Sequence, residues 1–161
     1  YKYDANRSIV LNYDYANEYS AGGDDALIDG IKGTQDFRSG AWQGIKDQDL
    51  DAVIDLGETK EINEVTINFL KDQRSWIFYP TKISLQLLDE KKELIIQGDV
   101  ELPETGKDEV SEIFKGKFSF NSRKARYIQV KATNYGALPE WHLGYPMKGT
   151  AWIFVDEITV E

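Results

Sequence analysis

The 161-residue chain contains no cysteine, a single histidine and a single methionine, and its 19 lysines and arginines are outnumbered by 28 aspartates and glutamates. Lack of cysteine excludes disulfides, thiolate metal sites and a cysteine nucleophile. One histidine, His142, leaves nothing from which to build a multi-histidine metal centre. The formal net charge of −9 lacks the basic footprint that nucleic acid or an anionic membrane requires, so neither is expected as a partner, and neutral or cationic ligands remain. No apolar run approaches the roughly 18 residues of a membrane span, so no membrane insertion is expected, and no signal peptide is visible. Because the chain starts at Tyr1 and not at a methionine, we expect a fragment whose targeting signal lies upstream.

Hydrophobic residues at 41% and charged residues at 29% are globular values, and aromatics at 12% are plentiful. A chain of this size forms one domain, residues 1–161, able to bury about two-thirds of its unfolded surface. Ser8-Ile9-Val10-Leu11 suits an opening strand. Ala52–Leu56 is a short apolar run ended by Gly57-Glu58. Val65–Phe69, then Ile83, Leu85 and Leu87, alternate apolar with polar residues, as strands with one buried face must. Leu94-Ile95-Ile96, Phe118 with Phe120, Tyr127–Val130 and Trp152–Val155 continue the pattern, while Val110–Phe114 suits a turn of helix. About eight short strands, with no sustained helical period and no repeat, predict an all-β antiparallel sandwich.

The stretch Gly22–Gly44, GGDDALIDGIKGTQDFRSGAWQG, combines oxygen ligands, tight-turn glycines and aromatics. Asp29 supplies a carboxylate, Gly30 permits a sharp turn, and Thr34 returns a hydroxyl. Hard cations take oxygens of this mixed kind. An Asp-Gly turn with Thr34 capping it locally accounts for the same residues. Three stretches are too long and too aromatic for plain turns. Asp36–Gly44 carries Asp36, Arg38 and Trp42. Lys71–Pro80 carries Asp72, Arg74, Trp76 and Tyr79, and Tyr135–Gly149 carries Tyr135, Glu140, Trp141, His142 and Tyr145. Sugars offer flat C–H faces to rings and hydroxyls to charged groups, and each stretch supplies both. Trp42 and Trp152 adjoin strand-like runs and suit the core, Trp76 suits burial or exposure equally, and His142 suits a structural role as well as a ligand contact.

The segment A-x-x-D-G-x-x-x-T at Ala26–Thr34, together with DLGETKEINEV, SWIFYP, NYGALPEWHLG and AWIFVDEITV, resembles discoidin (coagulation factor type C) domains and family 32 carbohydrate-binding modules. The last three blocks look most like the C-terminal domain of bacterial family 20 hexosaminidases (chitobiases). The resemblance implies a jelly-roll sandwich of the galactose-binding-domain type. It also implies a structural calcium ion held by the carbonyls of Ala26, Ile31 and Asp156, the carboxylates of Asp29 and Glu157, and Thr34. It places a glycan, of terminal galactose or N-acetylhexosamine type, among Asp36, Arg38, Arg74, Trp76, Tyr135, Trp141 and His142. The family's usual histidine comes from the first loop, where this chain has Asp36-Phe37-Arg38. By the same resemblance the chain is a non-catalytic module joined to the catalytic domain of a bacterial glycoside hydrolase, in a periplasmic, cell-surface or secreted setting. A structural or protein-binding appendage is the alternative. A small glycosidase using two carboxylates gains nothing from the abundance of acids, since the densest runs, Asp47–Asp51 and Glu101–Glu112, suit solvated loops.

Overall fold

The computed structural model describes residues 6–161, so the expected single domain extends at residues 1–5 beyond the described chain. Its strands are β1 (Ser8–Leu11), β2 (Gln43–Lys46), β3 (Leu50–Lys71), β4 (Lys82–Leu88), β5 (Leu94–Glu101), β6 (Glu112–Ala132) and β7 (Trp152–Val160), joined by loops that hold only 3₁₀ turns. All strand pairs are antiparallel. The chain is the all-β sandwich that the alternating pattern requires.

Two sequence expectations need correction. Ala52–Leu56 and Val65–Phe69 lie in one long strand, β3, and Phe118, Phe120 and Tyr127–Val130 lie in another, β6, so the strands are fewer and longer than eight short ones. The two long strands pair with each other from end to end, and this ladder persists where the apolar pattern lapses. Val110–Phe114 is not helical. Glu112–Phe114 open β6, paired with Lys71, Leu70 and Phe69, and the β-branched Ile113 and the aromatic Phe114 suit that pleated surface.

The interruption read at Gly57 is a bend. Asp55 pairs with Tyr127 and Lys60 with Ala125, so residues 56–59 of β3 stand against Arg126 alone. Gly57 adopts φ +86°, a region open to glycine at little cost, and its N–H donates to Asp55 Oδ1 at 2.8 Å. Arg126 Nε donates to the same oxygen at 3.1 Å, fastening the bend from the partner strand. Before the bend, β3 lies between β1 and the end of β6, which continues to β4 and β5. After it, β3 lies between the start of β6 and β7, which continues to β2. The inner faces of the two layers meet in one core, with Ile54, Leu85 and Ile128 from the first against Ile67, Phe69 and Val155 from the second.

Because β3 and β6 each run down one layer and back up the other, their two ends finish at the same end of the sandwich. Register adds the start of β4, the end of β5, the end of β2 and the start of β7 to that end. The connections at residues 47–49, 72–81, 102–111 and 133–151 therefore emerge together. This gathers three long loops that are distant in sequence.

Candidate functional site

Strand β7 has no alternation: all of Ile153–Val160 is buried, because the buried turn Ala26–Ile28 packs on it beside β2 and β3. Ile67 pairs with Ile158 and Phe69 with Val155, so Asn68 alone opposes Asp156 and Glu157. Such a bulge breaks the strict inside-outside alternation of neighbouring side chains. Asp156 and Glu157, each 1% exposed, both reach the loop that follows Asp29. Gly30 N–H donates to Glu157 Oε2 at 3.0 Å and Gly33 N–H to Asp156 Oδ2 at 2.9 Å. Burial pushes the Asp156 carboxyl up to about 6, against the opposing pull of the Gly33 and Glu157 N–H groups. Asp29 Oδ1 accepts from Ile31 N–H at 2.8 Å and Thr34 Oγ from Asp36 N–H at 3.2 Å. Ala26 is buried and Ile31 is 55% exposed.

The loop is thus pinned to β7, and Asp29, Thr34 and Glu157 belong to one neighbourhood. Among the described residues no group of three or more His, Asp or Glu side chains is placed to hold a metal, so a cation here would need carbonyl and hydroxyl oxygens beside its carboxylates. The donors available are of that kind. Trp42 closes the arrangement: it is 1% exposed, and its indole N–H donates to the Thr34 carbonyl at 2.7 Å. A Cβ at Gly33 would lie 2.3 Å from the Trp42 ring, which explains the glycine.

In the stretch Asp36–Gly44, Asp36 Oδ1 accepts from Arg38 N–H at 2.9 Å and from Arg38 Nε at 3.1 Å, and these bonds, the backbone one foremost, hold the carboxyl below its usual range. The Arg38 side chain is 75% exposed and lies over the Phe37 ring. Phe37 in turn packs on Tyr19 and Phe154, and Tyr19 on Trp152. The loops at 72–81 and 133–151 are fused. Trp76 sits at φ +65°, a left-handed conformation rare for a large residue, and covers Gly144 and Gly149, where a Cβ would come within 2.8 and 2.6 Å of its ring. Buried Phe78 carries Tyr135 at 4.8 Å and a near-parallel Trp141 at 6.0 Å. His142 is 4% exposed; its Nδ1 accepts from Gly144 N–H at 2.9 Å, which leaves Nε2–H to donate to the Gln73 carbonyl at 2.6 Å. Nε2 ties its loop to the one that carries Gln73, and Nδ1 holds the turn of its own loop, so both ring nitrogens are engaged. Arg74 is exposed, 3.7 Å from Glu109.

The structure therefore brings Trp76, Tyr135, Trp141 and His142 into one cluster, sets Arg74 on the same loop at its rim, and places Asp36 and Arg38 on the neighbouring loop. Between the clusters, Tyr19, Phe37, Ser75 and Trp152 line a narrow groove of about 60 Å³. Beside Tyr135 a wider cleft of about 520 Å³ opens among Tyr79, Pro80, Leu102, Pro103 and Thr105. Tyr19, Phe37, Trp152 and Tyr79 complete the aromatic end. Trp152 adjoins a strand-like run that suits the core and Tyr19 lies in no patterned run, so only an aromatic-rich composition points to them. The only buried carboxylates among the described residues are Asp156 and Glu157, which face loop backbone and line none of these clefts.

A family model for the F5/8 type C domain matches residues 11–153, and the chain belongs to that family. Domains of this family are generally non-catalytic binding modules. No sequence among curated proteins matches the chain. A fucose binding module of Streptococcus pneumoniae is similar in structure, with TM-score 0.58 and 16% identity, covering 95% of this chain and 89% of that one. The lectin domain of Lectinolysin, solved with Lewis B antigen, gives TM-score 0.58 and 14% identity over 96% and 92% of the two chains. The family 32 carbohydrate-binding module of Clostridium perfringens NanJ, solved with galactose, gives TM-score 0.55 and 13% identity over 97% and 93%. At such identities these likenesses establish the sandwich fold.

Proposed function

We propose that the chain is a non-catalytic carbohydrate-binding module that holds a terminal sugar, of galactose or N-acetylhexosamine type, at the loop end of the sandwich. The observation that carries this reading is the partly buried ring of Trp141, braced by Phe78 beside the Tyr135 cleft, with Arg74 exposed on the fused neighbouring loop. A braced ring offers a sugar a flat apolar face at little ordering cost, and a guanidinium offers hydroxyls a charged donor. One stacked ring and a few hydrogen bonds, after desolvation, correspond to about −4 to −6 kcal/mol, a high-micromolar to millimolar dissociation constant. Titrating galactose and N-acetylglucosamine should shift amide resonances of the loops at 72–81 and 133–151. Trp141→Ala should remove most of that response with the fold intact. If Trp141→Ala unfolds the domain, or no sugar moves those resonances, the appendage reading replaces this one. The engagement of both His142 nitrogens by backbone groups, one across to the Gln73 loop and one within its own, favours that second reading.

The setting we infer is the one the resemblance implied: a module of a bacterial glycoside hydrolase, similar to the C-terminal domain of a family 20 hexosaminidase, working in the periplasm, at the cell surface or outside the cell. Its isolated form should not hydrolyse aryl hexosaminides. We also infer a structural calcium ion held by Asp29, Thr34, Glu157 and the carbonyls of Ala26, Ile31 and Asp156. What supports this is the convergence of the Asp29 and Glu157 carboxylates on adjacent N–H groups of one loop. Calcium at about 100 times its dissociation constant would stabilise the fold by about 2.7 kcal/mol. Chelation of calcium-loaded protein should then lower Tm by about 5–10 °C, and Asp29→Ala should abolish the response. An unchanged melt under chelator removes the ion from the account.

A further inference from the structure

A wide cavity shares no lining residue with the fused loops. It has about 820 Å³ and is lined by Ile9, Val10, Leu11, Tyr13, Asp14, Tyr15, Asn17 and Asp24. That volume lies within the roughly 300–1,000 Å³ that holds ligands larger than a single ring. One wall is the outer side of β1, where Val10 is 60% exposed and gives an apolar floor. The other is the segment after β1, held in place from behind. Tyr13 is buried and donates to Gln43 Oε1 at 2.7 Å, while the Gln43 amide donates to the carbonyls of Ser20 and Gly23. Asp14 and Gln48 exchange backbone-to-side-chain bonds at 3.1 and 3.0 Å, which fixes the backbone beside Tyr15.

The polar groups on this wall are preset and open. Tyr15 donates its phenol to Asp24 Oδ1 at 2.6 Å, which orients both the ring and the carboxylate and leaves the second Asp24 oxygen for a ligand. The side chains of Asp14 and Asn17 have no hydrogen-bond partner among the described residues. Among the described residues no lysine or arginine lines the groove, and the charge these residues give it is that of the two aspartates, in a chain of net charge −9. The groove thus offers an aromatic plate, an apolar floor, hydroxyl partners and uncompensated negative charge together.

We propose that this groove is a second glycan site, selective for an amino sugar whose amine is free and protonated. The ring's C–H face would lie on Tyr15 and Val10, its hydroxyls would meet Asn17 and Tyr15, and its ammonium would meet Asp14 and Asp24. Neutral sugars satisfy the plate but bring neither carboxylate a counter-charge, and acidic sugars are repelled. The site is independent of the loop-end reading and stands or falls separately from it.

The test is a titration of the whole chain, followed by amide resonances, with a glucosamine trisaccharide and with its fully N-acetylated counterpart. Glucosamine oligomer should shift residues 10–17 and 24 and saturate in the millimolar range. The acetylated oligomer should bind this groove about tenfold more weakly, since a charge-assisted hydrogen bond is lost. Asp24→Asn and Asp14→Asn should each remove most of the selectivity, with the melting temperature unchanged for these exposed residues. Tyr15→Ala should remove binding of both oligomers here, and Trp141→Ala should leave glucosamine binding as it is. Raising ionic strength from about 0.01 M to about 1 M, which shortens the screening length from about 30 Å to about 3 Å, should weaken the glucosamine oligomer and not the acetylated one. Equal binding of the two oligomers, shifts confined to the loops at 72–81 and 133–151, or no shifts at all would overturn the proposal. So would protection of Ile9–Leu11 amides by an added extended peptide with no response to sugar, which would assign the groove to strand addition along β1.

Discussion

On β7 the carboxylates of Asp156 and Glu157 are buried to 1% and take backbone N–H groups from the loop at 30–33, whereas at the loop end the side chains of Asp36, Arg38, Arg74 and Glu109 are 54%, 75%, 65% and 69% exposed. The buried acids are positioned by a bulge in a central strand and bridge residues 123 and more apart in sequence. The exposed charges sit on loop tips and bond within their own or the adjoining loop. Burial makes an electrostatic contact strong and its loss costly, while exposure makes it weak and available to a ligand. The same residue types therefore hold the fold in one place and face solvent in the other.

The widest separation of the two regions should appear in stability. Glu157→Ala removes the acceptor of Gly30 N–H and opens a gap beside the core, at a cost of about 2–3 kcal/mol, or about 4–12 °C in Tm. Arg74→Ala removes a long, exposed ion pair and should change stability by no more than about 0.5 kcal/mol, while weakening sugar binding. Thermal melts of the two variants side by side decide the matter. Equal shifts would mean that the loop-end charges are structural as well.

The alternation of Val65–Phe69, Ile83–Leu87 and Tyr127–Val130 was enough to show strands and their core-facing sides, because the apolar residues of each meet in one core. The bend at Gly57 was not legible as a bend, since continuity of β3 depends on its ladder with β6 and not on its own side chains. The orientation of Asp156 and Glu157 was hidden for the same reason. Adjacent residues on a regular strand point opposite ways, and only the register against Asn68 brings both to the Asp29 loop. The oxygen-rich character of Asp29 and Thr34 could be read directly, because those contacts are local. The role of His142 could not. Its partners are the Gln73 carbonyl, 69 residues away, and the Gly144 N–H, neither of which is a side chain. The loop-end aromatics were recognisable as a group from composition, whereas which ring supports which depends on the folding of β3 and β6 that gathers their loops.

The smallest effect expected is at Asp36, where exposure and order coexist. Its folded carboxyl lies below the ordinary range, and the first cause is the backbone N–H of Arg38, ahead of the guanidinium. A depressed carboxylate contributes stability that is present above its unfolded pKa and is lost as pH falls through the folded one. The turn at Asp36–Ser39 should therefore persist through the ordinary carboxylate range and release only below it. Following the Asp36 carboxyl carbon by resonance titration measures this directly. Arg38→Ala should raise the midpoint only in part, since residue 38 keeps its N–H and the bond at 2.9 Å survives the loss of the side chain. A midpoint that returns fully to the unfolded value in Arg38→Ala would show that the exposed guanidinium, and not the backbone, orders this loop. The division between backbone-held acids and solvent-facing charges would then fail at the loop end.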